Sequence, residues 1–433
     1  MRRLLRASAV LGLAAATAQA GAQAQARATE LAMGGRPITW AEALRWQHAR
    51  DYFGLRARLA TLADSETAPA RFARAVVEQA FNQPAHSNAT AAALLARGGM
   101  SDTLRAEVLR LEMDNDLRLF DYAGGLHAAD SLIAHAAVLN IATRKDVANT
   151  RRILSALADI PPQTVESRGE TLVRLRDGRI PVTVNDSARA YVFDTGANLS
   201  TIMRSEAIAV GLRILPAGLD VGTSTTTRVT ADLGVADRVT IGNLVLRNVV
   251  FLVLDDKLLT FNNGAFRIPG IIGFPVIEQM GEVRFERGGT IEVPAQPPFR
   301  ADSNLALAQL TPLTQASWHG STLVCSLDTG ADGTEFYSRF YEAHRALIDS
   351  VSRPSVRKFG GAGGVQTTPI RLLPKFSFSL GDTTATLDSA AVLTKSIARD
   401  ATENYRDCNV GHDVFDSFSA LILNFRDMAF VLR

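Results

Sequence analysis

The tetrapeptide Asp-Thr-Gly-Ala occurs twice, in Phe193-Asp-Thr-Gly-Ala-Asn198 and in Leu327-Asp-Thr-Gly-Ala-Asp332. Both copies follow β-forming runs and contain the Gly of a tight turn. The chemistry open to Asp194 and Asp328 depends on their meeting. Two carboxyl groups held a few ångströms apart cannot both ionise cheaply, so they share one proton. The charged member acts as a base toward water, and the protonated member donates to the carbonyl oxygen under attack. Neither a metal nor another cofactor is needed, and the pair titrates as a unit.

The repeat continues downstream. Ile271-Ile-Gly273 matches Asn409-Val-Gly411, at 79 and 83 residues from the respective aspartates. Beyond those glycines, Val276-Ile277, Met280 and Val283 match Val414-Phe415, Phe418 and Leu421 at a constant offset. On these residues, the region from 169 to 433 resembles the bilobal aspartic peptidases of the pepsin and retroviral (retropepsin-like) type. The resemblance implies a two-lobed acid-protease β-barrel fold with pseudo-twofold symmetry, lobe 1 at 169–293 and lobe 2 at 304–433. It implies that Asp194 and Asp328 are the catalytic dyad of an endopeptidase and that Thr195 and Thr329 brace the two loops. Gly196 and Gly330, followed by Ala197 and Ala331, complete those loops, where a side chain would obstruct the carboxylates. Gly273 and Gly411 are expected on the strands that thread beside them.

Ala197 and Ala331 stand where pepsin-like enzymes usually carry Ser or Thr. The missing hydroxyl removes a bond that would favour the carboxylate, so the expected optimum is mildly acidic to neutral. Phe359-Gly-Gly-Ala-Gly-Gly364, with Gly360, Gly361, Gly363 and Gly364, reads as a candidate flap tip. Gly222 to Arg228 occupies the matching interval of lobe 1 and has no tyrosine. An ordinary hairpin turn is the alternative for either segment.

The elements that must position these residues are mainly strands. Thr171–Arg176, Ile180–Val184, Ala190–Phe193, Val239–Ile241, Leu244–Leu246 and Val249–Leu254 are short β-type runs separated by turn residues. Short helices are expected after the key motifs. Residues 37–158 read instead as an α-helical hairpin domain, rich in Ala, Leu, Arg and Glu, with apolar residues at three- and four-residue steps. Tyr122–Leu132 resembles one helix of a tetratricopeptide-type hairpin, although no clean period repeats. The Pro161-Pro162 pair marks a linker over 159–166, and Pro294–Pro298 a second one. The fold class is therefore multidomain, α plus mainly β. The helical part either packs against the catalytic part, docks a protein partner, or is an inhibitory prosegment removed near Pro161-Pro162.

Composition narrows the classes further. The 433 residues are 47% hydrophobic and 21% charged, the balance of an ordinary globular protein. The formal net charge is +2, and Arg2, Arg3 and Arg6 lie in a segment expected to be removed. No basic excess then points to a nucleic acid. Those arginines, the apolar run Ala7–Ala16 and the small-residue sites ending at Ala20, Ala24 and Ala26 form a secretory signal over 1–26. The expected destination is the periplasm or the exterior, with no membrane span. Cys325 and Cys408 could bridge there, and geometry settles whether they do.

Other chemistries fit poorly. Cys408 and His412 lack the second pair a zinc site needs. The glycines at 360–364 lack the Lys-Ser/Thr of a phosphate loop. No Gly-x-Ser-x-Gly elbow occurs, and no His is followed by Glu. The reading from another class is a catalytically inactive periplasmic interaction module that works through its helices. Because one chain carries both aspartates, catalysis should need only a monomer. A protein or peptide is the expected substrate.

Overall fold

The computed structural model describes residues 35–63, 65–222, 228–361, 364–396 and 404–433. The export segment expected at 1–26, the flap residue Gly363 and the interior of the Gly222–Arg228 segment lie outside the described residues.

Seven α-helices open the described chain: α1 Trp40–His48, α2 Tyr52–Ala60, α3 Ala68–Ala80, α4 Pro84–Arg97, α5 Asp102–Arg118, α6 Tyr122–Ala134 and α7 Ile141–Leu157. Their starts are written in the sequence. Thr39, Asp51, Thr67, Ser101, Asp121 and Asn140 each cap a helix, accepting the N–H three residues on. Asn82-Gln83-Pro84 both ends α3 and opens α4, with Pro at the start where its missing N–H costs nothing.

Two β-barrels follow. In the first, β1 Arg179–Val184, β2 Ser187–Phe193, β3 Ser200–Met203, β4 Arg228–Ile241, β5 Leu244–Leu254 and β6 Gly270–Ile272 pair in the order β1-β2-β6-β3-β5-β4. Pairing of β1 with β4 closes the ring. The second uses β7 Thr311–Trp318, β8 Ser321–Leu327, β9 Glu335–Phe336, β10 Gly364–Leu380, β11 Thr383–Leu393 and β12 Cys408–Val410. Its order, β7-β8-β12-β9-β11-β10 closed by β7 with β10, is the same ring. The two parallel contacts also recur, β2–β6 with β3–β5 and β8–β12 with β9–β11. The fold is thus bilobal with pseudo-twofold symmetry. Short helices follow the motifs: α8 Arg204–Ala209 and α9 Phe274–Glu278 in lobe 1, α10 Ser338–Val351 and α11 His412–Phe415 in lobe 2.

The symmetry is broken beneath each aspartate. At one register position, lobe 1 sets the Tyr191 ring over Gly270, where a Cβ would stand 2.7 Å from the ring. Lobe 2 fills the equivalent space with the Cys325–Cys408 disulfide, joining β8 to β12 at paired positions.

A five-stranded sheet joins the lobes, in the order Thr171–Arg174, Thr290–Val293, Glu282–Glu286, Ala420–Asn424, Ala429–Leu432. Glu282 at its centre is fully buried and accepts from Arg284, from Nε and Nη2 of Arg300, and from Asn424, at 2.7 to 2.8 Å. Burial alone would raise its pKa, but these donors pull it down to about 2.

The segment after Pro161-Pro162 differs from a free linker. Thr164–Ser167 pairs with β5 as an added strand, and the buried Gln163 donates to the Pro275 carbonyl. An exposed strand edge offered unpaired backbone groups, and the chain leaving α7 satisfied them. The helices themselves rest on both lobes. Ala106, Leu109, Tyr122, Leu132 and Leu154 share one apolar cluster with Leu219, Leu233, Val250 and Leu254 of lobe 1. Arg56 donates to Ser303, and Asn82 to the Phe425 carbonyl, on the lobe 2 side.

Candidate active site

Each motif is a turn that joins the end of one strand to the start of another. The N–H of Asp194 donates to the Ile272 carbonyl and that of Asp328 to the Val410 carbonyl, both at 3.0 Å. Within each turn the aspartate accepts a backbone N–H, from Gly196 at 2.7 Å and from Gly330 at 2.9 Å. The turns are then crossed. Thr195 Oγ1 accepts the N–H of Thr329 (3.0 Å) and donates to the Leu327 carbonyl (2.8 Å). Thr329 Oγ1 accepts the N–H of Thr195 (3.1 Å) and donates to the Phe193 carbonyl (3.1 Å). Both threonines are buried.

This lattice brings the aspartates face to face. A Cβ on Gly196 would lie 2.6 Å from Asp328 Cγ, and one on Gly330 would lie 2.6 Å from either carboxylate oxygen of Asp194. Glycine is needed at both positions because the opposing carboxyl occupies the side-chain space. Burial, and then the charge of Asp328 beside it, hold the Asp194 carboxyl well above the usual carboxylate range.

Gly273 and Gly411 stand where the threading strands pass the turns. A Cβ on Gly273 would meet the backbone of Leu199 and Ser200 at 2.6 Å, and one on Gly411 the Ala331 carbonyl oxygen at 2.7 Å. Ala197 and Ala331 accept from the first residues beyond, Phe274 N–H (2.8 Å) and His412 N–H (2.9 Å). Of the flap glycines, Gly360 pairs with Val365, and Gly361 with Gly364, in a hairpin of Arg353–Gly361 with β10. Lobe 1 has the equivalent hairpin, Arg213–Gly222 with β4.

Several residues had escaped the sequence reading. Ser200 and Thr334 each accept the N–H of the threading glycine, at 3.0 and 3.1 Å. Their signal was equal spacing, six residues after each aspartate. Asn409 Nδ2 donates to Asp328 Oδ2 at 2.8 Å, so the hydroxyl missing from Ala331 is replaced at this aspartate by an amide. The pH expectation drawn from the alanines therefore loses its basis at Asp328. Glu335, half-buried and paired with Asn409 across neighbouring strands, is pushed up to about 7, by desolvation first, against the opposing effect of Arg357 and with help from Asp328 and Asp413. Arg357 reaches it from the flap strand at 3.4 Å. Cys408 is bonded to Cys325, so it has no thiolate to offer a metal. Among the described residues, no group of three or more His, Cys, Asp or Glu is arranged to hold one.

Residues 180–276 match the aspartyl protease family. The match spans the closed ring of lobe 1 and includes Asp194 and Gly273. Among solved structures, a retropepsin-like aspartic protease from Rickettsia conorii matches at 20% identity with a TM-score of 0.20. The alignment covers 31% of this chain and 96% of that one. No curated protein matches the sequence.

Proposed function

We propose that the chain is an aspartic endopeptidase that hydrolyses peptide bonds with water activated between Asp194 and Asp328. The observation that carries this reading is the crossed threonine lattice, which seats each carboxyl over the glycine of the opposite turn. The family match over lobe 1 supports the same reading.

The chemistry needs one proton on the pair. The charged carboxylate takes a proton from water as its oxygen bonds to the peptide carbonyl carbon. The protonated carboxyl gives its proton to the carbonyl oxygen, and a gem-diol results. In collapse, the first carboxyl passes its proton to the leaving nitrogen as the C–N bond breaks. A gem-diol hydroxyl returns a proton to the second carboxyl, which restores the starting state. Burial, and then the charge of Asp328 beside Asp194, keep one proton on the pair.

We take residues 1–26 to export the chain, and the Cys325–Cys408 disulfide fits an oxidising destination. The helices, packed on both lobes, suit a permanent part of the enzyme better than a removable prosegment.

Cleavage of a diverse peptide pool between about pH 3 and pH 8, read by mass spectrometry, tests the reading. Wild type should cut, and Asp194→Asn and Asp328→Asn should not. Cleavage by both variants at the wild-type rate, or an inactive wild type even when it begins at Arg168, would refute it.

A further inference from the structure

The two lobes repeat one another in their ring of strands, and one chemical difference between them falls beside the dyad. In lobe 1 the strand leading to Asp194 and the threading strand meet through Val192 and Ile271. In lobe 2 the same paired position holds Ser326 and Asn409. An apolar pair has become a polar one, on one side of the axis only.

The polar pair is wired. Arg406 Nη1 donates to Ser326 Oγ at 3.2 Å, Ser326 Oγ donates to Asn409 Oδ1 at 2.5 Å, and Asn409 Nδ2 donates to Asp328 Oδ2 at 2.8 Å. Because Oδ1 is occupied as an acceptor, the amide has a fixed orientation and turns its N–H toward the carboxyl. The disulfide one residue earlier on both strands fixes their register, and Ser326 and Asn409 are both buried. Among the described residues, Asp194 has no such amide, since the matching place holds Ile271. The turn donors do not supply this difference, since Gly196 reaches Asp194 at 2.7 Å and Gly330 reaches Asp328 at 2.9 Å, and the Ala197 N–H adds to Asp194, so the amide is the donor that sets Asp328 apart.

We propose that Asn409 is the positioning residue that makes the dyad unequal, holding the negative charge on Asp328 and leaving the shared proton on Asp194. A donor to a carboxylate favours its charged form. Asp328 is then the base that takes the proton from water, and Asp194 the acid that protonates the substrate carbonyl. The inference deepens the peptidase reading and rests on it for that consequence.

The other groups facing this side do not supply the same bias. Asp194 and Glu335 are carboxyls, which oppose a charge on Asp328, and Asp413 adds to Glu335. Tyr337 lies near Asp328 but is itself raised by burial. Arg357 is turned to Glu335, and His412 Nε2 lies 3.0 Å from the Thr329 carbonyl oxygen instead of the carboxyl.

The test transplants the lobe 1 pair into lobe 2, as Ser326→Val with Asn409→Ile in the full mature chain. The fold already accommodates Val and Ile at this register in lobe 1. Two readouts are taken: the pH profile of kcat/KM, and carbon-13 titration of the two aspartate carboxyls, which needs no activity. The expected result is a rise of about one pH unit in the acid limb and in the first carboxyl titration, or roughly tenfold less activity below the limb. In wild type, Asp328 should be the first to lose its proton. An unmoved titration in the folded variant, or Asp194 ionising first in wild type, overturns the proposal. If the variant does not fold, Val192→Ser with Ile271→Asn decides. It should give Asp194 a donor and draw the first titration onto both carboxyls, and no change there overturns the proposal equally. A wild type that cleaves nothing but shows the expected titrations would sink the peptidase reading and leave the charge assignment standing.

Discussion

Thr195 and Thr329 anchor one another across the axis between the lobes, each hydroxyl accepting the other's N–H and donating to a carbonyl of the opposite strand end. Four hydrogen bonds thereby depend on two side chains, in a place that excludes water. Thr195→Val should therefore cost about 3 kcal/mol, because it strands a buried N–H and a buried carbonyl in the other lobe. Thr195→Ser keeps the hydroxyl and should cost less than about 1 kcal/mol. Urea unfolding of both variants checks this, and equal losses for Val and Ser would show that the lattice is not what matters.

The dyad sets activity and stability against each other. Asp194→Asn and Asp328→Asn should each lower kcat by roughly a hundred-fold to ten-thousand-fold. Asp194 has a raised folded value, so its contribution to stability is complete below the unfolded value of about 3.9 and is lost as pH rises through the folded one. At neutral pH the pair is thus a burden on the fold. Asp194→Asn should melt higher than wild type at pH 7 and show no such gain at about pH 3. Melting curves at the two pH values settle the sign.

Glu282 has the opposite linkage. Its folded value is depressed to about 2, so its stabilisation is present above the unfolded value of about 4.3 and fades as pH falls toward 2. Glu282→Gln removes the carboxylate that Arg300 bridges at the seam between the lobes and leaves Arg284 with Glu292 alone. A loss of about 3 kcal/mol is expected at pH 7, shrinking progressively as wild type is taken below about pH 4. A difference independent of pH would contradict the linkage.

Arg118 couples the helices to the lobes. It bridges Glu278 at 3.1 Å with its side chain only 2% exposed, and it also holds the Gln79 carbonyl and Asn82. Arg118→Ala should destabilise by about 3 kcal/mol and open the 159–168 segment to proteolysis. Glu278→Ala removes the ion pair but keeps the anchors from Arg118 to Gln79 and Asn82, between α5 and the end of α3, so a smaller loss is expected. If neither variant changes the proteolysis pattern, the helical region is held by its apolar contacts alone.

How much of this was legible in the sequence follows from the range of each interaction. The turns at the two tetrapeptides are local, so residue type and spacing were sufficient to read them. The caps at Ser101 and Asn140 also act within three residues, and the structure showed them. The repeat exposed the bilobal plan because both lobes spell out the same ring of strands. The residues that matched between copies, Asp194 with Asp328 and Thr195 with Thr329, were the ones a comparison of the halves could find.

The tertiary structure decided what lies where the halves disagree. Asn409 opposite Ile271 is a mismatch in sequence, and only the pairing of β8 with β12 shows its amide facing Asp328. A polar residue two places before the threading glycine was the available hint. Glu335 and Arg357 are distant in sequence and meet because the flap strand folds back over β9. The bridge between Cys325 and Cys408 needed a parallel register that could not be specified locally across a sequence separation of 83. Likewise, the strand formed by Thr164–Ser167 exists only because β5 has an edge to fill. The sequence determined which groups could do chemistry, since that is a property of residue type. Tertiary structure determined which of two identical carboxyls has an amide side chain as donor, because that hydrogen bond is made between side chains brought together from different strands.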